Sequence, residues 1–246
     1  MDGRKGELLQ RIDSDRAVLL DFLRGLIRCP SPNPPGDTRE AAGHIRRLLE
    51  RHGAEYRIIA PNEVMPNIVA TFEAGKPGRH LALNGHIDCF PVGDGAGWTH
   101  DPWGAELVDG RIYGRGACDM KCGTTASVFT FLYLRERRDE LYGRLTLSTV
   151  SDEETFGPYG ARYLSEHHPK GFGDPSRMRE NSTRLACFSQ IRRSMASTLW
   201  IMIEPLLRSI RPRRYQFWKI LFTLSRLPPA MLPSSRCETC NSTAGL

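Results

Sequence analysis

The sequence predicts an α/β fold: a mixed, mostly parallel sheet flanked by helices. Three observations carry this. Short β-type segments alternate with helical periodicities from residue 55 to residue 167. The segment at 80–84 holds Leu81, Ala82 and Leu83 in a row, apolar on both faces, as in a strand inside a sheet. Two strand candidates run straight out into imidazole and carboxylate side chains, and sites in such folds lie beyond the carboxyl ends of strands.

Taken in order, residues 7–28 place Leu8, Leu9, Ile12, Leu19, Phe22, Leu23, Leu26 and Ile27 at helical spacing, with a break expected near Asp13–Asp15. Residues 31–36, Ser-Pro-Asn-Pro-Pro-Gly, form a rigid loop, because proline fixes φ and lacks a donor. A helix follows over 38–52, with Asp37 or Thr38 as N-cap and Gly53 as its stop. Strands are expected at 55–59, 67–72 and 80–84, and the last leads directly into His86 and Asp88. Residues 106–109 and 111–113 read as a hairpin across Asp109-Gly110. Asp119 opens a helix of about 120–137, where it is a candidate N-cap. A strand at 144–150 delivers Asp152, Glu153 and Glu154, and a short helix spans about 159–167.

Charge divides the chain of 246 residues. The net +6 arises in the tail: residues 177–246 carry 12 Lys+Arg against 3 Asp+Glu, the preceding residues 22 against 25. All seven histidines lie at or before His168. The seven cysteines are odd in number and irregular in spacing, which argues for reduced thiols and a cytoplasmic setting over a disulfide framework. Cys118 and Cys122 read as small packing residues, and Cys237-x-x-Cys240 lacks a second pair for a zinc knuckle. Neither a secretory leader nor a membrane span is expected.

The chemistry gathers at three places. His86-x-Asp88 puts two side chains on one side of an extended segment, so His86 could bind a metal while Asp88 holds the other ring N–H. Asp119 follows a glycine turn, Gly114-Arg-Gly116. Glu153 and Glu154 are adjacent carboxylates that repel and are best stabilised by a cation, leaving one as ligand and the other as general base. Singly, each has an ordinary reading: a satisfied strand-end histidine, a helix cap, a solvated acidic turn.

Together they resemble a known family. Asn84-Gly-His86-Ile-Asp88, Pro91-Val-Gly93, Trp98, Asp101-Pro102, Asp109-Gly-Arg-Ile-Tyr-Gly114-Arg-Gly116-Ala-Cys-Asp119-Met-Lys121, Asp152-Glu153-Glu154 and Gly160 stand in the order and spacing of the co-catalytic zinc amidohydrolases and peptidases. These include aminoacylases, acetylornithine deacetylases, succinyl-diaminopimelate desuccinylases and carboxypeptidase G. The resemblance covers about residues 7–170 and includes the 31–36 loop. It implies a partial zinc-exopeptidase-like catalytic domain that hydrolyses an amide in N-acyl amino acids or small peptides. It implies two Zn2+ per complete site, with Co2+ or Mn2+ also accepted by such ligands. His86 would bind one zinc, Asp119 bridge both and Glu154 bind the second. Glu153 would be the general base, and Asp88 the partner of His86. It also implies a cis Asp119–Met120 bond.

Beyond residue 170 the sequence departs from the family. Gly173-Asp174-Pro175 only echoes the family's next acidic ligand, no histidine follows His168, and no lid or dimerisation domain is recognisable. Residues 1–172 are therefore expected to form the N-terminal part of the catalytic domain. Residues 173–246 are expected to be a basic tail, poorly structured or foreign to the family. Each zinc would keep two protein ligands where a catalytic zinc usually has three, so weak metal binding and slow or no turnover are expected. Without the lid, the family's homodimer is not expected. The alternative is a truncated, non-enzymatic product, or a binding protein that uses the tail's arginines and Trp218 on an acidic partner; nucleic acid is not an expected partner.

Overall fold

The computed structural model describes residues 3–169 and 186–187. The first helical stretch breaks at Asp15 into α1 (Gly3–Ser14) and α2 (Arg16–Ile27). Helix α3 (Arg39–Arg51) ends before Gly53, whose φ of +58° supplies the left-handed stop. The strands are β1 (Tyr56–Ile59), β2 (Asn67–Glu73), β3 (Lys76–His86) and β6 (Tyr142–Val150), with β4 (Glu106–Val108) and β5 (Arg111–Tyr113) as a separate hairpin. Its turn places Asp109 at φ +49° and Gly110 at +74°, the pair of left-handed residues that a tight two-residue hairpin needs. Helices α4 (Cys122–Glu136) and α5 (Ala161–His167) follow, with short helical turns at Ala117–Lys121 and Arg138–Glu140 and the two-residue strand β7 (Ala186–Cys187).

The main sheet runs β1-β2-β6-β3-β7. β3 pairs parallel with β6 and β7, whereas β2 pairs antiparallel with β1 and β6. The sheet is thus mixed, with β1, β6, β3 and β7 running one way and β2 against them. The short connection from β1 to β2 makes them antiparallel neighbours, and only the longer crossover through α4 carries the chain back for a parallel pair. β7 falls within the stretch expected to be tail, and extends the sheet beside Leu83 and Asn84.

One face of the sheet makes the core. Ile68, Ala70, Phe72, Leu83, Leu145 and Leu147 alternate along their strands and pack with Phe129, Phe131 and Leu132 of α4. α4 is buried along its whole length from Gly123 to Leu134. The other face differs from the all-apolar expectation at 80–84. His80 and Thr71 both bond Thr146, and Ser148 donates to Asn84 Oδ1. Of these, Asn84, Thr146 and Ser148 are buried, and they stay because each finds a polar partner.

Gly85 shows how tightly β3 meets α4. A Cβ there would lie 2.6 Å from Thr124 Oγ1, the hydroxyl that donates to the His86 carbonyl. Gly85→Ala should lower the unfolding free energy by about 1–3 kcal/mol, read as a lower urea midpoint.

Candidate metal centre

β3 and β6 lie side by side and parallel, with His86 opposite Val150, so both end at the same edge. The chain leaving β3 carries Asp88, and the turn leaving β6 carries Asp152, Glu153 and Glu154. Asp119 enters from a kinked turn, Ala117–Lys121, entered through Gly116 at φ +73°. It is not a helix cap: its backbone is extended (φ −118°, ψ 107°), it makes no capping bond, and α4 begins only at Cys122. That kink turns the carboxylate toward His86. The Asp119–Met120 bond is cis. Lys121, fully buried, donates from Nζ to the Cys29 carbonyl at 2.8 Å and pins this turn to the start of the proline loop.

The five expected residues form one cluster. His86 is 2 % exposed. Its Nδ1 donates to the Asp88 main-chain oxygen at 3.0 Å, and its Nε2 faces Asp119 Oδ1 at 3.1 Å and Glu153 Oε2 at 3.6 Å. The ring's partner is thus first the Asp88 carbonyl, with the carboxylate Oδ1 farther off at 3.5 Å. The bond from Nδ1 fixes the tautomer and leaves Nε2 as the atom aimed into the cluster. Ligand atoms of His86, Glu153 and Glu154 lie within 4.8 Å of one another. Asp119 stands outside that mutual group and is 64 % exposed, touching it through His86. Glu154 Oε1 accepts the Phe90 N–H at 3.1 Å.

The Asp88 carboxylate does more than face the imidazole. Its Oδ2 accepts the N–H groups of Glu153 and Glu154 at 2.9 and 3.1 Å, and so shapes the acidic turn. Residues with no role assigned from sequence hold the rest. Asn33 bonds both Asp88 and Asp152, and Thr38 Oγ1 bonds Ser151 Oγ at 2.6 Å instead of capping α3. The sequence signal was the proline loop itself, which marked a rigid segment without saying which side chain it presents.

The charges show what the cluster would accept. Burial opposes a charge on His86, but the hydrogen bonds to Asp119 and Asp88 outweigh it and push its pKa up to about 11. Burial raises Glu153, and burial with the neighbouring carboxylates pushes Glu154 up to about 7 against the opposing pull of His86. Asp88 Oδ1 is buried without a hydrogen-bond partner among the described residues. Crowded carboxylates, a buried carboxylate oxygen with no hydrogen bond of its own and an imidazole nitrogen aimed inward among carboxylates suit a divalent cation with N and O ligands.

Asp174, Cys237, Cys240 and the basic residues around Trp218 lie outside the described residues. Among the described residues, no helix is long and apolar enough to cross a membrane.

Residues 82–195 match the model of peptidase family M20/M25/M40. The chain is 36% identical over 146 residues to succinyl-diaminopimelate desuccinylase 2 of Ruegeria sp. (strain TM1040), covering 59% of this chain and 36% of the relative. It is 35% identical over 165 residues to N-formyl-4-amino-5-aminomethyl-2-methylpyrimidine deformylase of Halalkalibacterium halodurans, covering 65% and 38%. Among solved structures, the di-peptidase Dug1p of Saccharomyces cerevisiae shares the fold with a TM-score of 0.59 at 19% identity, over 70% of this chain and 40% of that one. The chain spans little more than a third of the length of the curated relatives it matches. The family match runs past residue 170 and takes in the sequence around β7.

Proposed function

We propose, from a chain whose matched segment is of peptidase family M20/M25/M40, that it serves zinc-dependent hydrolysis of an amide bond in N-acyl amino acids or small peptides. The observation that carries this is the convergence of His86, Asp88, Asp119, Glu153 and Glu154 at the ends of β3 and β6. The two relatives named for removing a succinyl and a formyl group support an acyl–amine bond as the target.

His86 Nε2, Asp119 and Glu154 would hold the metals. Zinc bound there supplies an acidified water and a polarised carbonyl. The chain's own residues do the rest. Asp88 keeps His86 in the tautomer that points Nε2 inward. Glu153, with its pKa raised by burial, takes a proton from the attacking water and returns it to the departing amide nitrogen. Its raised pKa brings it nearer neutrality, where it can both accept and give. The division at residues 172 and 173, the two-metal stoichiometry, a cytoplasmic setting and the absence of a nucleic-acid partner belong to the same proposal. With two protein ligands to each metal from this set, turnover by this chain is expected to be slow.

The experiment is zinc titration of the purified chain beside hydrolysis of N-acetyl and N-succinyl amino acids. The expected result is slow hydrolysis that ends with chelator. Glu153→Ala should lower the rate by about 10²–10⁴-fold while zinc affinity changes little. Hydrolysis that persists in chelator would refute the proposal.

A further inference from the structure

We propose that Asn33 is a positioning residue for the acidic pair: its amide ties Asp88 to Asp152 and so fixes the main chain of Glu153 and Glu154 beside His86. The inference rests on the metal reading above and adds to it a residue outside the ligand set.

Asn33 Nδ2 lies 2.9 Å from Asp88 Oδ2 and 3.1 Å from Asp152 Oδ1. All three side chains are buried: Asn33 is 2 % exposed, Asp88 0 % and Asp152 5 %. Two carboxylates so close to one atom repel unless a donor lies between them. A side-chain amide nitrogen carries two N–H groups and no charge, so it can serve both at once. Its orientation is dictated, since ionised carboxylates only accept and the flipped amide would aim its oxygen at two anions.

The two acids pass that constraint to the site from opposite sides. Asp88 Oδ2 accepts the N–H groups of Glu153 and Glu154. Asp152 immediately precedes the pair, at φ +65°, and closes the following loop: Oδ1 accepts the Thr155 hydroxyl at 2.6 Å and Oδ2 the Tyr159 N–H at 3.1 Å. Asn33 is itself held by the proline loop lying along the chain that leaves β3. Its N–H donates to the Cys89 carbonyl at 2.9 Å, Ser31 Oγ donates to the Ile87 carbonyl at 2.7 Å, and the Cys89 N–H donates to the Ser31 carbonyl at 3.0 Å. The loop's rigidity thereby becomes the rigidity of the acidic turn.

The test uses the full chain with Asn33→Ala and Asn33→Ser; the serine variant, which keeps one hydroxyl donor, decides if the alanine variant does not fold. Ser148→Ala serves as control, since it removes buried hydrogen bonds on the same sheet away from the turn. Amide hydrogen exchange in chelator should be about 10-fold or more faster at Glu153 and Glu154 in the Asn33 variants, with β6 unchanged. Calorimetric zinc titration should show affinity about 10–100-fold weaker. Ser148→Ala should lower the unfolding midpoint and move neither readout. Unchanged exchange at Glu153 and Glu154 in a folded Asn33 variant would overturn the proposal whether or not zinc binds. Faster exchange with undiminished zinc affinity would overturn it as a positioning role for the metal site. A parent chain that takes up no zinc would overturn the metal reading instead, and exchange alone would then decide whether Asn33 positions the turn.

Discussion

Replacing His86 with alanine should weaken zinc binding by more than about 100-fold, since it removes the imidazole of the His86, Glu153 and Glu154 group. The same residue predicts how binding depends on pH. In the metal-free protein both ring nitrogens face oxygen acceptors, and the pKa stands at about 11. A metal on Nε2 must therefore displace a proton, and Glu154, at about 7, gives up part of another. Zinc affinity should rise with pH across the neutral range. Titrations in buffers of different ionisation enthalpy should show about one proton released per chain on saturation with zinc at pH 7.5 in the parent, and clearly fewer in a His86 variant that still binds. The sign for stability runs the other way. His86 pairing with Asp119 and Asp88 stabilises the metal-free fold fully below its ordinary pKa of 6.5, and that contribution is lost as pH rises toward 11.

Asp88→Ala should cost the metal-free protein about 3–5 kcal/mol. The carboxylate is fully buried and accepts the Asn33 amide and the N–H groups of Glu153 and Glu154, while facing His86. Removing it leaves three donors without their acceptor and a buried imidazolium short of a counter-charge. Burial alone would raise its pKa, but the His86 charge beside it and the bond from Asn33 overcome that and hold it below its ordinary 3.8. The stabilisation therefore stands above that pH and is lost as pH falls through the depressed folded value. Urea unfolding in chelator measures both. A loss below about 1 kcal/mol would mean that the acidic turn is held by something other than Asp88.

The amino-acid sequence by itself determined the elements and the chemistry they carry. Apolar periodicity located α2, α3, β2, β3 and β6, because these segments bury one face or both and period follows from backbone geometry. Glycine and proline marked the turns at Gly53, Asp109-Gly110 and the 31–36 loop, because they alone adopt or forbid the required φ without strain. His86, Asp88, Asp119, Glu153 and Glu154 each have an ordinary reading singly, and it was the resemblance of their combined order and spacing to a known family that implied a metal site.

Only the tertiary structure decided how these pieces meet. Sheet order and strand direction depend on pairings between β2, β6 and β3, which no local period encodes, and these pairings set β2 against the direction of its neighbours. Asp119 does not cap α4 because its backbone is extended at a kink, a conformation fixed by contacts and not by propensity. Asn33 and Asp152 stayed silent in the sequence because they lie 119 residues apart, and a hydrogen bond between buried groups is visible only once folding has brought them together.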